Sequence, residues 1–184
     1  MSLSASQDFH IRPANNQDVP PLAPILAYSF YAEVNQSMLT SWLYPLLCWG
    51  IRLDLYTKFA ETSADSICLV AIDLENKQTV ATIELHFRQL TPFWSAPTKS
   101  AYLSSLAVDP NWRRNGIAMQ LLHSAETLAK EKGYQQIYLH VINHNQAAQN
   151  LYQKANYQLA KSESNLITWL LGIPHRLLLH KNLN

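Results

Sequence analysis

From Tyr102 to Leu122 the chain runs Tyr-Leu-Ser-Ser-Leu-Ala-Val-Asp-Pro-Asn-Trp-Arg-Arg-Asn-Gly-Ile-Ala-Met-Gln-Leu-Leu. An apolar strand stops at Asp109-Pro110, a short turn follows, and Arg113-Arg-Asn-Gly-Ile-Ala118 opens a helix. The first amides of a helix have no intrahelical acceptor, and the dipole makes that end attractive to an anion. Gly116 and Ala118 carry little or no side chain, so a phosphate can approach the backbone closely. Arg113 and Arg114, read as first-turn residues, run against the dipole, and a bound pyrophosphate would compensate them. The plainer reading is an ordinary glycine near a helix start beside two solvated arginines. Taken alone, an Arg-x-x-Gly-x-Ala pattern does not decide between the two.

A second segment, Tyr138-Leu-His-Val-Ile-Asn-His-Asn-Gln-Ala-Ala-Gln-Asn-Leu-Tyr-Gln-Lys-Ala-Asn-Tyr157, follows further along. In this order and spacing the two segments resemble the acyl-CoA-binding motifs of the GNAT superfamily of N-acetyltransferases. The first is similar to that family's Gln or Arg, two residues, Gly, one residue, then Gly or Ala. The second is similar to its Asn-x-Ala-Ala-x-x-Leu-Tyr-x-Lys segment, beginning here at Asn145. The likeness is tight from Tyr102 to Tyr157 and looser over the N-terminal third. The Trp42 to Tyr56 region and the ending Leu171 to Lys181 further resemble the cyanobacterial and plastid branch of the superfamily.

The resemblance implies acetyl-CoA as cosubstrate. Its pantetheine arm would pair with the backbone of Leu106, Ala107 and Val108. Its pyrophosphate would lie on the turn formed by Arg113, Arg114, Asn115, Gly116, Ile117, Ala118 and Met119. Asn145 would contact the pantetheine, and Tyr152 would lie near the sulfur. Attack of an amine on a thioester expels a thiolate, which a phenol within hydrogen-bond reach can protonate. Without the motif, Tyr152 reads as a core aromatic beside Leu151.

The group that takes the amine's proton is less marked. Many relatives carry an acid where this chain has Ser104 and Ser105, and a hydroxyl is a poor base at neutral pH. Glu84 on the preceding strand is the best remaining candidate, and partial burial is expected to raise its pKa towards the working pH. His86 shares its side of the strand, and His140 is a third option. Both histidines also read as polar groups on a rim. His140 and His144 straddle a strand end, so metal ligation is not expected.

Apolar spacing predicts the elements that must hold these residues. Phe9 to Pro13 alternates as a strand, and Asn15, Asn16 and Asp18 are cap candidates for a helix carrying Leu22, Ile25, Leu26 and Phe30. Pro20 and Pro21 are tolerable only in its first turn. Trp42, Leu46, Trp49, Leu53 and Tyr56 mark a second helix behind Thr40 and Ser41, with Pro45 limiting its start. That stripe reads as packing against the sheet, with a wall of the acceptor site as the other reading. Strands follow at Ser66 to Ile72, Thr79 to Phe87 and Ala101 to Val108, with a hairpin turn at Leu74 to Gln78 and a loop at Thr91 to Lys99. A helix over Arg113 to Lys132 ends at Gly133. Then come a strand at Gln136 to Ile142, a helix at Asn145 to Ala155, and strands at Tyr157 to Ala160 and Arg176 to Lys181. This order predicts a mixed α/β fold around one sheet, and it agrees with the GNAT order, a central mixed β-sheet flanked by helices.

Composition bounds the rest. The chain has 184 residues, 48% hydrophobic and 15% charged, enough for one core and too apolar for disorder. No linker or repeat divides it, so a single domain over 1–184 is expected, with a flexible start over about 1–8. Fourteen basic against thirteen acidic residues leave a net charge of +1, which argues against a nucleic-acid partner. Cys48 and Cys68 form no metal or disulfide pattern. No window is long and apolar enough to span a membrane, and no secretory signal is seen, so a cytoplasmic protein is expected. Exposed edges of such sheets often pair, which makes a homodimer one expected assembly. The predicted function is acetyl transfer from acetyl-CoA to a primary amine, a protein N-terminus, a lysine or a small amine, directly within a ternary complex. Neither motif holds a cysteine to carry the acyl group. A noncatalytic acyl-CoA-binding domain is the alternative.

Overall fold

The computed structural model describes residues 9–34, 43–60, 65–87, 99–162 and 174–183. The expected start over 1–8, Thr40 to Trp42, all of the Thr91 to Lys99 loop except Lys99, and Gly172 lie outside them. The chain order is β1 (Phe9–Pro13), α1 (Val19–Val34), α2 (Leu43–Ala60), β2 (Ser66–Asp73), β3 (Thr79–His86), β4 (Ser100–Val108), α3 (Ile117–Glu131), β5 (Gln136–Ile142), α4 (Gln146–Lys154), β6 (Gln158–Ser162) and β7 (Arg176–Asn182). Short 3-10 turns at Asn16–Asp18 and Pro110–Trp112 precede α1 and α3. The seven strands form one mixed sheet in the order β1-β2-β3-β4-β5-β7-β6. Among the described residues only β4 and β5 pair in parallel.

Local chemistry explains the joints. The Asn15 side chain accepts from the Gln17 amide, and Asp18 accepts from the Asn15 amide, so the chain turns from β1 into α1 with its first amides satisfied. Pro20 and Pro21 sit in the first turn of α1, where a missing N–H costs nothing. Asp73 receives the Asn76 backbone and side-chain N–H groups at 2.8 and 2.9 Å and so closes the β2–β3 hairpin. Gly133, at φ 79°, ends α3, with the Tyr134 amide bonding back to Ala129.

Two cores lie on opposite faces of the sheet. On one, Ile117, Leu121, Leu122, Ala125 and Ala129 of α3 pack with Ile83, Leu85, Leu103, Ile137 and Leu139. On the other, Leu22, Ile25 and Leu26 of α1 and Leu55 of α2 pack with Val70 and Ala107. The structure corrects the reading of α2. Leu46, Trp49, Leu53 and Tyr56 are 58, 61, 46 and 41% exposed, so this stripe does not pack on the sheet. The helix turns Ile51, Leu55 and Phe59 inward instead. Apolar residues occupy two faces of α2, and periodicity alone cannot say which one the sheet will cover.

Candidate active site

The fourth and fifth strands create the first feature. β4 pairs with β5 only from Ser100↔Gln136 to Leu103↔Leu139, and beyond that the two diverge. On its other side β4 stays on β3, through Glu84↔Ser104, Thr82↔Ala107 and Ala81↔Val108. The stretch from Ser104 to Val108 therefore turns its β5-facing backbone edge into a gap. An extended chain of amides can add there as a strand would. The register slips between Thr82 and Glu84, opposite Ser105, whose φ of 56° is left-handed.

That bulge has a chemical result. Successive side chains on a regular strand point to opposite faces. Here the Ser104 and Ser105 hydroxyls both donate to the same Glu84 oxygen, at 3.3 and 3.2 Å. His86 Nε2 lies 2.8 Å from Ser104 Oγ and 3.5 Å from Glu84 Oε2. Lys58 of α2 brings its ammonium to 3.5 Å from Glu84 Oε1 and 3.0 Å from Asp54. Burial works against ionising Glu84, but the His86 hydrogen bond, the charges of Lys58 and His86, and the Ser105 hydroxyl outweigh it and bring its pKa down to about 2. The expected upward shift is thus reversed: burial acts as foreseen, but the partners arriving from α2 and β4 dominate.

Glu84 and Ser105 line a cavity of about 100 Å³ with Leu26, Ile51, Leu55 and Phe59 on its apolar side and Asp54, Lys58, Cys68 and Thr82 completing it. Burial pushes the Cys68 thiol up to about 11, so it stays protonated and inert. The sequence reading missed Lys58 and Asp54, although their separation of four residues on a helix was a signal for a paired cation. His140 does not join this cluster. Its Nδ1 lies 2.9 Å from the Tyr102 hydroxyl, and the Tyr102 ring stands between His140 and His86 at centroid distances of 5.7 and 6.3 Å.

The second feature is the start of α3. The helix begins at Ile117, not Arg113, so the two arginines precede it and do not oppose its dipole from the first turn. Arg114 and Gly116 adopt left-handed φ values of 70 and 78°. Arg113 is committed locally, its Nε donating to the Val108 carbonyl at 3.1 Å while its guanidinium stacks 5.3 Å from the Tyr28 ring centroid. No side chain caps α3, and its first backward bond is Gln120 N to Gly116 O. The amides of Ile117, Ala118 and Met119 thus have no acceptor within the helix. A Cβ built on Gly116 meets nothing within 4 Å, so the space over this turn is open to an anion.

α4 supplies the third. Asn145 precedes the helix as its cap, its side chain accepting from Ala148 N at 3.1 Å, so that oxygen already has a structural duty. Tyr152 is buried in the α3-side core, edge-on to Tyr157 at 5.8 Å. Burial and the nearby Glu126 carboxylate push the Tyr157 phenol well above its ordinary range, so it is no acid. Tyr152 and Glu84 occupy opposite faces of the sheet. Among the described residues no group of three His, Cys, Asp or Glu could hold a metal ion.

Comparison with known proteins agrees with this geometry. Residues 33–157 match the Acetyltransferase (GNAT) family. GCN5-related N-acetyltransferase 7, chloroplastic, of Arabidopsis thaliana is 30% identical over 123 residues, covering 62% of this chain and 45% of the relative. GCN5-related N-acetyltransferase 4, chloroplastic, of the same plant is 37% identical over 83 residues, covering 45% and 28%. The chain thus spans less than half the length of these curated relatives. Among solved structures, the PaiA N-acetyltransferase of Thermoplasma acidophilum in complex with coenzyme A superposes with a TM-score of 0.71 at 18% identity, over 95% of this chain and 99% of that one. Arabidopsis thaliana NAA60 in complex with a bisubstrate analogue does so at 0.67 and 16%, over 95 and 98%. A mixed sheet that opens between β4 and β5 beside an uncapped helix, on a chain matching that family over most of its length, leaves one assignment: this protein belongs to the GNAT acetyltransferase family.

Proposed function

We propose that the protein transfers an acetyl group from acetyl-CoA to a primary amine, directly and within a ternary complex. The observation that carries this reading is the backbone edge of Leu106 to Val108, left without a β5 partner and leading straight to the open start of α3. The edge suits the two amides of a pantetheine arm, and the amides of Ile117 to Met119 suit a pyrophosphate. Bound there, acetyl-CoA supplies an activated acyl group. The chain's own residues do the rest. The gap holds the thioester carbonyl at a fixed height in the sheet, and Glu84 draws the acceptor nitrogen in from the α1–α2 side. As the nitrogen forms its bond to the carbonyl carbon, the carbon–sulfur bond breaks and the Tyr152 hydroxyl, on the other face, protonates the departing thiolate.

Glu84, with a pKa of about 2, cannot keep the amine's proton. It accepts the hydrogen bond of the incoming nitrogen, and the proton leaves to water, because Ser104 already donates to Glu84 and His86 Nε2 already holds a proton towards this pair. One observation favours the other reading, a binding domain without turnover: Glu84 is already paired with Lys58. Mixing the protein with acetyl-CoA and pools of peptides or small amines separates the two. Release of CoA thiol that depends on added amine supports the enzyme, whereas tight binding by calorimetry without thiol release supports the sensor. A cytoplasmic site of action belongs to this proposal. Among the described residues no helix is long and apolar enough to cross a membrane, and the Arabidopsis relatives named above are chloroplastic.

A further inference from the structure

The acceptor side of the gap already contains a primary amine. Lys58 Nζ approaches Glu84 Oε1 at 3.5 Å, and the other oxygen of that carboxylate holds the hydroxyls of Ser104 and Ser105, where β4 leaves β5. The ammonium is thus one carboxylate away from the strand edge assigned above to the thioester arm. Its side chain is 43% exposed, and its other contact, Asp54, is more exposed still at 59%, so nothing rigid holds it back. Four rotatable bonds separate the nitrogen from the α2 backbone, enough to swing it from Asp54 across Glu84 towards the gap.

We propose that Lys58 is an internal acetyl acceptor, so that the protein acetylates its own α2 in the absence of any other amine. The inference rests on the reading of the site as an acetyltransferase, and it names a lysine ε-amine as an acceptor that the site takes. In the reaction the uncharged Nζ bonds to the thioester carbonyl carbon, the carbon–sulfur bond breaks, and CoA leaves as the thiol with a proton from Tyr152. The two protons lost by the ammonium pass to solvent, one before attack and one as the amide forms, and Tyr152 takes one back from solvent, so that one proton is released per acetyl group transferred. Burial disfavours the Lys58 charge, but the hydrogen bond to Asp54 and the charges of Glu84 and Asp54 outweigh it and keep the amine protonated. The uncharged fraction is therefore small. What offsets it is proximity, since a tethered nucleophile reacts at an effective concentration far above that of any surface lysine. Acetylation would remove the cation that now pairs with both Glu84 and Asp54, leaving these carboxylates for an incoming amine.

The test is to incubate the purified full chain with acetyl-CoA alone and follow intact mass and peptide maps. One acetyl group per chain at Lys58 is expected, added at least about tenfold faster than at any other lysine. The rate per chain should not change on dilution. Lys58→Arg, which keeps the cation and its ion pairs, should lose the added mass. Glu84→Gln should slow the labelling several-fold, and Gly116→Glu, with the turn for the pyrophosphate blocked, should reduce it to the level of the other lysines. Labelling of Lys58 no faster than its neighbours, or equally fast in Gly116→Glu, overturns the proposal. If Lys58 is not labelled in this way but amine-dependent thiol release is seen in the same preparation, the acetyltransferase reading survives while this inference falls. If neither reaction occurs, both fall.

Discussion

A carboxylate that stays ionised down to about pH 2 and an alkylammonium with a pKa near 10.4 differ by roughly eight orders of magnitude in acidity. On the proposed mechanism Glu84 therefore acts by charge and hydrogen bonding, since it does not titrate in the working range. The pH–rate profile for an alkylamine should accordingly rise about tenfold per pH unit through neutrality, following the uncharged amine, with no limb belonging to Glu84. Glu84→Gln should keep that slope and lower kcat/KM for the cationic acceptor, while an aromatic amine, uncharged at pH 7, loses much less. Profiles of kcat/KM against pH for both acceptors check this, and identical parent and variant curves would make Glu84 purely structural. Tyr152→Phe keeps the ring against Tyr157 but removes the proton donor. Turnover should fall by about 100- to 10,000-fold with acetyl-CoA affinity retained. A loss below about threefold in a single-turnover measurement would leave Tyr152 as packing alone.

At the scale of elements, the turn into α3 combines a left-handed glycine with the proposed pyrophosphate site, and the two can be separated. Gly116 sits at φ 78°, so any side chain is strained there even though the space is open. Gly116→Ala should cost about 1–2 kcal/mol of stability for that reason alone. Gly116→Glu should have a similar backbone cost and also put a negative charge over the amides of Ile117 to Met119. Calorimetry should find acetyl-CoA binding to Gly116→Glu weaker than to Gly116→Ala by roughly tenfold or more, the scale of a lost charge-assisted contact. Equal affinities would remove the pyrophosphate from this turn. The orientation of α2 gives a second comparison. Leu55 is 6% exposed and Leu53 is 46% exposed on the same helix. Leu55→Ala should lose about 2–5 kcal/mol and Leu53→Ala no more than about 0.5 kcal/mol in urea unfolding.

Across the whole molecule one buried acid joins distant parts of the chain. Asp18 accepts both Arg12 guanidinium nitrogens at 2.8 and 2.9 Å, the Asn15 amide at 2.8 Å and the Thr79 hydroxyl at 2.8 Å, tying β1, the start of α1 and β3 together. Burial opposes its charge, but these hydrogen bonds and the Arg12 cation outweigh it and hold the pKa below 3.8. A carboxyl depressed on folding stabilises the fold above its unfolded value, and the contribution is lost as pH falls through the folded value. Asp18 and Glu84 act in the same direction, so stability should decline as pH drops from about 4.5 towards 2. Asp18→Ala should cost about 3–5 kcal/mol near pH 7 by stranding Arg12, and the gap to the parent should narrow below pH 3.8.

The two motifs were legible in the sequence as a resemblance to the family, together with the strand that ends at Val108, the glycine at the start of α3, and Asn145 and Tyr152 at the start and in the last turn of α4. Those features are local, fixed by glycine, by helix caps and by the apolar period of consecutive residues. Local signals could not show β7 inserting between β5 and β6, nor which face of α2 meets the sheet, because each depends on partners far away in sequence. Nor could they show that a left-handed Ser105 turns two adjacent hydroxyls onto one carboxylate, or that Lys58 arrives there from α2. The ionisation of Glu84 is set by those arrivals. A pKa answers to whatever charges and donors the fold brings within a few ångströms, and only the tertiary structure decides which those are.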